Sequence, residues 1–303
     1  MVQAAVAEVV GRHSYEPLPK KLKEWHSHYE AGYFDFVARL SSEDSDGNDV
    51  LLALLKFRIF RKAFLSGLAG FTDRPGMVTS LSEGPLCLAL AEEASEKLLS
   101  AFPGHGAPIE RGLLAPAALL PFIKLHEDPF SEILGQTLKL APERSLVMVR
   151  SGSGRELPTL MHERLHASVR NLPGVFEEGF CRYALQSRGL DEDELLLLPG
   201  RDRDTIRWNF APIYYPNLLV AMLSQGVGER KTERSFFGED AGALRLMARL
   251  SGKEAGELER IFRKGLHAEA ASVVMKLRDA LRGYLDRGLA MALDAVGEAF
   301  AAR

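Results

Sequence analysis

The 303-residue sequence predicts a predominantly α-helical α+β protein. Three features lead to that fold class. Long stretches before residue 140 and after residue 240 carry apolar residues at helical spacing, broken at Gly and Pro. One short segment, Ser145-Leu-Val-Met-Val-Arg150, is β-prone and bounded by Pro142 and by Ser151-Gly-Ser-Gly154, as a strand followed by a turn would be. Helix-sized segments with start and stop residues then follow from Pro158 onward.

Element by element, Asp49 to Leu65 reads as a helix that is apolar on most of its circumference, and so as a buried one; Ser42 to Asn48 before it is a loop. Leu86 to Phe102 is a further helix, ended by the Pro103-Gly-His-Gly-Ala-Pro108 cluster. After the strand, Pro158 opens a helix in which Leu160, Met161, Leu165 and Val169 recur at helical spacing until Asn171-Leu-Pro-Gly174 stops it. A second helix runs from Val175 to about Ser187, with Gly189 at the position a C-cap favours. Residues 191–204 read as a mixed loop, Pro216 to Gln225 as a helix led by Tyr214-Tyr215, and Asp240 to the end as helices turning at Gly252, Gly256, Gly265 and Gly283.

Composition narrows the function classes. With 46% hydrophobic and 26% charged residues the chain is neither collagen-like nor intrinsically disordered, and Cys87 and Cys181 are too few for a disulfide framework. A net charge of −3 without a long basic block gives no electrostatic reason to expect nucleic acid or a membrane surface as partner. The N-terminus lacks the basic region of an export signal, and the apolar run from Gly112 to Ile123 is far short of the roughly 20 residues that span a bilayer. The expected location is cytoplasmic.

His162-Glu163-Arg-Leu-His166 carries the chemistry. Two histidines four apart on a helix project from one face, one turn apart, and can bind a single metal ion. Glu163 follows the first ligand and can reach a water on that ion, whose pKa zinc lowers to about 7, so that the carboxylate acts as general base. Catalytic zinc takes three protein ligands and an open position, and the next helix offers Glu177 and Glu178 in its first turn.

On these residues the sequence resembles the gluzincin clan of zinc metallopeptidases, whose pattern is His-Glu-x-x-His on one helix and a ligand Glu on the next, often before Gly and a hydrophobic residue. Glu178-Gly179-Phe180 matches that step, so the resemblance implies one Zn²⁺ per chain held by His162, His166 and Glu178, with Glu177 as the alternative third ligand. It implies a peptidase acting on a peptide or protein substrate. A later Tyr would stabilise the oxyanion, here Tyr215 or Tyr214. Leu146 to Arg150 would be the edge strand on which substrate lies. The implied organisation is an N-terminal helical region (1–140), a gluzincin-like zinc core with a small sheet (141–235) and a C-terminal helical region (236–303). Two departures are visible. The amine-anchoring Gly-x-Met-Glu-Asn of the zinc aminopeptidases is missing from 140–161, and Arg182 stands where thermolysin-like members place an Asp. They leave a second reading, a non-catalytic zinc-containing binding or regulatory protein on the same fold.

The other histidines lack such a pattern. His26 and His28 are two apart and do not share a helix face, His126-Glu127 is followed by Phe130 rather than His, and His13, His105 and His267 stand alone. The Asp191 to Glu194 run lacks EF-hand spacing, and Ser151 to Gly154 lacks the Lys of a phosphate loop.

Overall fold

The computed structural model describes residues 14–72, 77–80, 85–103, 111–115, 134–141, 144–150, 154–169, 174–191, 211–238, 242–263 and 267–301. The chain divides into two compact units, residues 1–167 and 168–303. It is predominantly helical with one small sheet, as the sequence predicts.

The first unit is built on two long helices, α1 (Lys20–Leu40) and α2 (Gly47–Phe71). Leu22, His26, Tyr29, Tyr33 and Phe36 recur three and four apart and give α1 one buried face. Asp46 caps α2 by accepting from the Asn48 N–H, and Thr72 closes it with its N–H and hydroxyl on the Leu68 carbonyl. Between the helices the Tyr29 ring stacks on Phe57 and Phe64, with centroids 5.5 and 6.0 Å apart. Gly67 permits the close approach: a Cβ there would lie 2.5 Å from Leu22 Cδ2 and 2.7 Å from Trp25 Cζ3.

The expectation that α2 is a buried helix holds for one face only. Ala53, Phe57, Phe64 and Leu68 are buried, but Leu51, Leu52, Leu55 and Ile59 are 46–65% exposed. Apolar circumference tells how much of a helix wants to be covered; the neighbours decide how much is.

Five strands form one sheet: β1 (Ser14–Tyr15), β2 (Met77–Ser80), β3 (Arg111–Ala115), β4 (Gly135–Ala141) and β5 (Arg144–Arg150), in the order β1-β2-β3-β5-β4. All pairs are parallel except β4 with β5, which is antiparallel with an irregularity between Lys139 and Ala141. The strand expected at 145–150 is thus present, and four more fall in the region read as helical. β1 to β3 span two to five residues, too short for an alternation to stand out. Leu86–Phe102 is borne out as α3 (Pro85–Ala101).

One correction bears on the site. Leu146 to Arg150 is not an edge strand, because β5 lies between β3 and β4, and β4 is the edge. Leu146 through Val149 are all buried, which follows from cover on both faces. Leu146 and Met148 join the cluster of Leu22, Tyr29, Phe57 and Phe64. Alternation therefore turns Val147 and Val149 to the opposite face, with their directly paired partners Thr137 and Gly135 on β4. On that face lies α4 (Glu156–Ser168), whose Thr159 and Glu163 meet Gly135.

The second unit is helical throughout its described residues: α5 (Gly174–Gln186), α6 (Ala211–Val227), α7 (Glu229–Phe236), α8 (Ala243–Ser251), α9 (Ala255–Arg263), α10 (His267–Leu281), a 3-10 turn (Arg282–Tyr284) and α11 (Arg287–Ala301). α5 ends as expected with Gly189 at φ 64°, its N–H on the Gln186 carbonyl and that of Leu190 on the Leu185 carbonyl. Phe176 packs edge-on against Phe262 and Phe180 stacks on Phe236, which places the buried face of α5 against α9 and α7. Gly252 is a left-handed C-cap, as its position suggests, whereas Gly256 lies inside α9 and Gly283 in the 3-10 turn. Gly265 and the loop at 192–204 lie outside the described residues, as does the turn at 171–173. Among the described residues no helix is long and apolar enough to cross a membrane.

Candidate metal centre

α4 places the two histidines as the spacing requires. Pro158 sits in its first turn, where backbone N–H groups have no intrahelical acceptor and a missing donor costs nothing. Thr159, Leu160, Met161, Glu163, Arg164 and Leu165 are buried, whereas His162 and His166 are only half-buried. Arg164, on another side of the helix, is 2% exposed and donates from Nη1 to Ser95 Oγ on α3 at 3.1 Å. A fully buried guanidinium is costly to displace, so this contact locks the rotation of α4 and with it the direction of the histidine pair.

The Nε2 atoms of His162 and His166 stand 3.1 Å apart, with ring planes inclined at 73°. Two nitrogens about 2.0–2.1 Å from a tetrahedral ion would be about 3.3 Å apart, so the pair fits one metal. Glu178 completes the set: one ligand atom from each of His162, His166 and Glu178 lies within 4.8 Å of the others, and this group could hold a metal ion. The alternative, Glu177, is half-buried on α5 and not part of the group.

Glu178 is also oriented. Arg182, one turn later on α5, donates from Nε to Glu178 Oε1 at 2.6 Å, a short charge-assisted bond. The position that differs from the thermolysin-like pattern therefore contacts the candidate ligand itself. A cation there engages one carboxylate oxygen and adds positive charge beside the group.

Glu163 is 7% exposed and held by the sheet rather than by solvent. The Thr137 hydroxyl lies 3.0 Å from Glu163 Oε2 and in closer contact with the Glu163 main-chain carbonyl. Gly135 lies against the same side chain, where a Cβ would be 2.6 Å from Glu163 Cγ and 2.9 Å from Oε1. Sequence reasoning missed both residues, as it missed Arg164. The signal available was the apolar and polar alternation of Gln136-Thr-Leu-Lys-Leu140 beside a glycine.

Tyr214 and Tyr215 lie in the first turns of α6, which begins at Ala211 rather than Pro216. Their side chains lie outside the described residues. Cys181 is buried, and the Cys87 side chain lies outside the described residues. His26 is buried between α1 and α2, and His28 stacks on Phe60, so the two have separate surroundings. No family model, curated protein or solved structure matches this chain.

Proposed function

We propose that the protein is a zinc-dependent peptidase. The observation that carries the reading is the convergence of His162, His166 and Glu178 on one small volume while Glu163, next in sequence to the first of them, is buried against a sheet edge. Imidazole nitrogens with one carboxylate are the donor set that suits zinc. A divalent ion held by these three residues would polarise a carbonyl group and acidify a water molecule.

The chain's own residues do the rest. Glu163 takes the proton of the attacking water and returns it to the leaving amine as the peptide bond breaks. Tyr215 or Tyr214 is the proposed donor to the oxyanion, by likeness of sequence alone. β4, the sheet edge nearest Glu163, offers main-chain hydrogen bonds to an extended substrate. The proposed setting is cytoplasmic, in line with a cysteine content too low for a disulfide framework.

The test uses zinc-loaded protein and a quenched-fluorescent peptide library. Glu163→Gln should keep the metal and lose hydrolysis by at least about a thousandfold, the scale expected when a general base is removed. Full metal-dependent hydrolysis in that variant would sink the proposal. A second reading, a metal-containing binding or regulatory protein, is favoured by Arg182, which orients Glu178 as a ligand yet stands where the thermolysin-like catalytic pattern places an Asp. No cleavage of any library peptide at full zinc occupancy would support that reading.

A further inference from the structure

We infer that Thr137 is a positioning residue for Glu163 and that Gly135 is the seat on which Glu163 rests. The inference builds on the reading of Glu163 as general base. An HExxH helix fixes where the carboxylate starts, because Glu163 is bound to follow His162; it does not fix where the carboxylate ends. Glutamate has three rotatable side-chain bonds, and an unheld carboxylate beside a cation turns toward it and binds as a further ligand instead of holding a water molecule.

Three contacts remove that freedom. Thr137 has one hydroxyl proton and two acceptors on the same residue, the main-chain carbonyl and Oε2 of Glu163. It therefore ties the end of the side chain to its own peptide unit. Gly135 supplies a wall of bare backbone, and Thr159, one turn earlier on α4, lies against the same spot, 2.5 Å from the Cβ that Gly135 lacks. Both β4 residues point to this face because they are two apart, and they pair with Val149 and Val147 of the buried strand β5. The rigid middle of the sheet is thereby connected to the catalytic carboxylate through two residues of its edge strand.

The measurement uses the full-length zinc-loaded protein with Thr137→Val, which removes the hydroxyl and keeps the β-branched shape, and Thr137→Ser, which keeps the hydroxyl. Thr137→Val should retain one zinc per chain and lose about 100-fold in kcat, with KM within about threefold, because a misaligned base is felt only in the transition state. Thr137→Ser should recover to within about fivefold of wild type, given the same hydroxyl donor. Unchanged kcat in Thr137→Val, or equal damage in both variants, overturns the inference. If the wild-type protein cuts no peptide, the peptidase reading fails by itself, and the positioning is then read from thermal unfolding of Thr137→Val, Glu163→Met and the double variant. The inference requires the double variant to lose several degrees less in Tm than the two single losses combined, the mark of residues in direct contact; simple additivity overturns it.

Discussion

Acidification should loosen the α1–α2 pair through His26. The imidazole is 5% exposed, edge-on to Phe64 at 5.3 Å and to Tyr29 at 6.1 Å, and its Nε2 meets no hydrogen-bond partner among the described residues. Burial disfavours the charged ring and brings its pKa from 6.5 down to about 4. Among the described residues Glu30 is the one carboxylate in ion-pair range, at 4.0 Å from Nδ1, but it is partly solvated and does not offset the lost hydration. Because the folded pKa lies below the unfolded one, the unfolded chain binds more protons between these values. The stabilisation is complete above pH 6.5 and is lost as the pH falls to about 4. Some 2.5 pH units at 1.36 kcal/mol each make the loss about 3 kcal/mol, a large share of the stability of an ordinary domain. Urea unfolding followed by tryptophan fluorescence suits the measurement, since Trp25 adjoins His26 in α1 and packs at Gly67. Run in chelator at pH 7, 6, 5 and 4, wild type should lose stability through this window more steeply than His26→Phe, which fills the aromatic site with a ring that cannot charge. Parallel pH profiles for the two proteins would refute the reasoning.

Three further outcomes follow from the geometry. Gly135→Ala must push its new methyl past Thr159, Glu163 Cγ and Glu163 Oε1, all under 3.0 Å, and should cost about 1–3 kcal/mol in chemical denaturation and, on the proposed function, lose more hydrolysis than zinc; an indifferent Gly135→Ala would show that β4 does not press on Glu163. Arg182→Gln should weaken zinc binding about 10- to 100-fold in competition with a chromogenic chelator, because Glu178 loses the partner that orients it; tighter binding would mean that the cation only competes with the metal. Asp286 accepts the Leu289 N–H at 2.8 Å as the cap of α11, and this bond, followed by weaker help from Gln225, holds its carboxyl below the ordinary range. Asp286→Ala should cost about 1 kcal/mol at neutral pH, and that difference from wild type should vanish at pH values acid enough to protonate the wild-type carboxyl, as thermal melts at pH 7 and pH 2 would record.

What was legible in the sequence was whatever chemistry writes at short range. His162, Glu163 and His166 are related by helical spacing alone. The tight stop after Val169, seen in Asn171-Leu-Pro-Gly174, was enough to place Glu178 on the next helix. The β5 segment announced itself by β-prone composition between two turn signals. Contacts between distant segments were not legible. Thr137 reaches Glu163 across 26 positions and Arg164 reaches Ser95 across 69, and no local periodicity encodes either. The order β1-β2-β3-β5-β4 makes the nearest strand to the edge a matter of topology, which is why the edge was assigned to β5 instead of β4. The exposed face of α2 was missed for the same reason, since a run of apolar residues states a preference and only the packing partners determine whether it is met.

On the proposed function His162, His166 and Glu178 hold one zinc ion. Elemental mass spectrometry on protein purified without chelator tests it most directly, with Glu178→Ala measured alongside. One zinc per chain in the wild type and a clear fall in the variant are predicted. A native protein that takes up no metal even when zinc is supplied would contradict the claim and leave the three side chains as neighbours without a shared task.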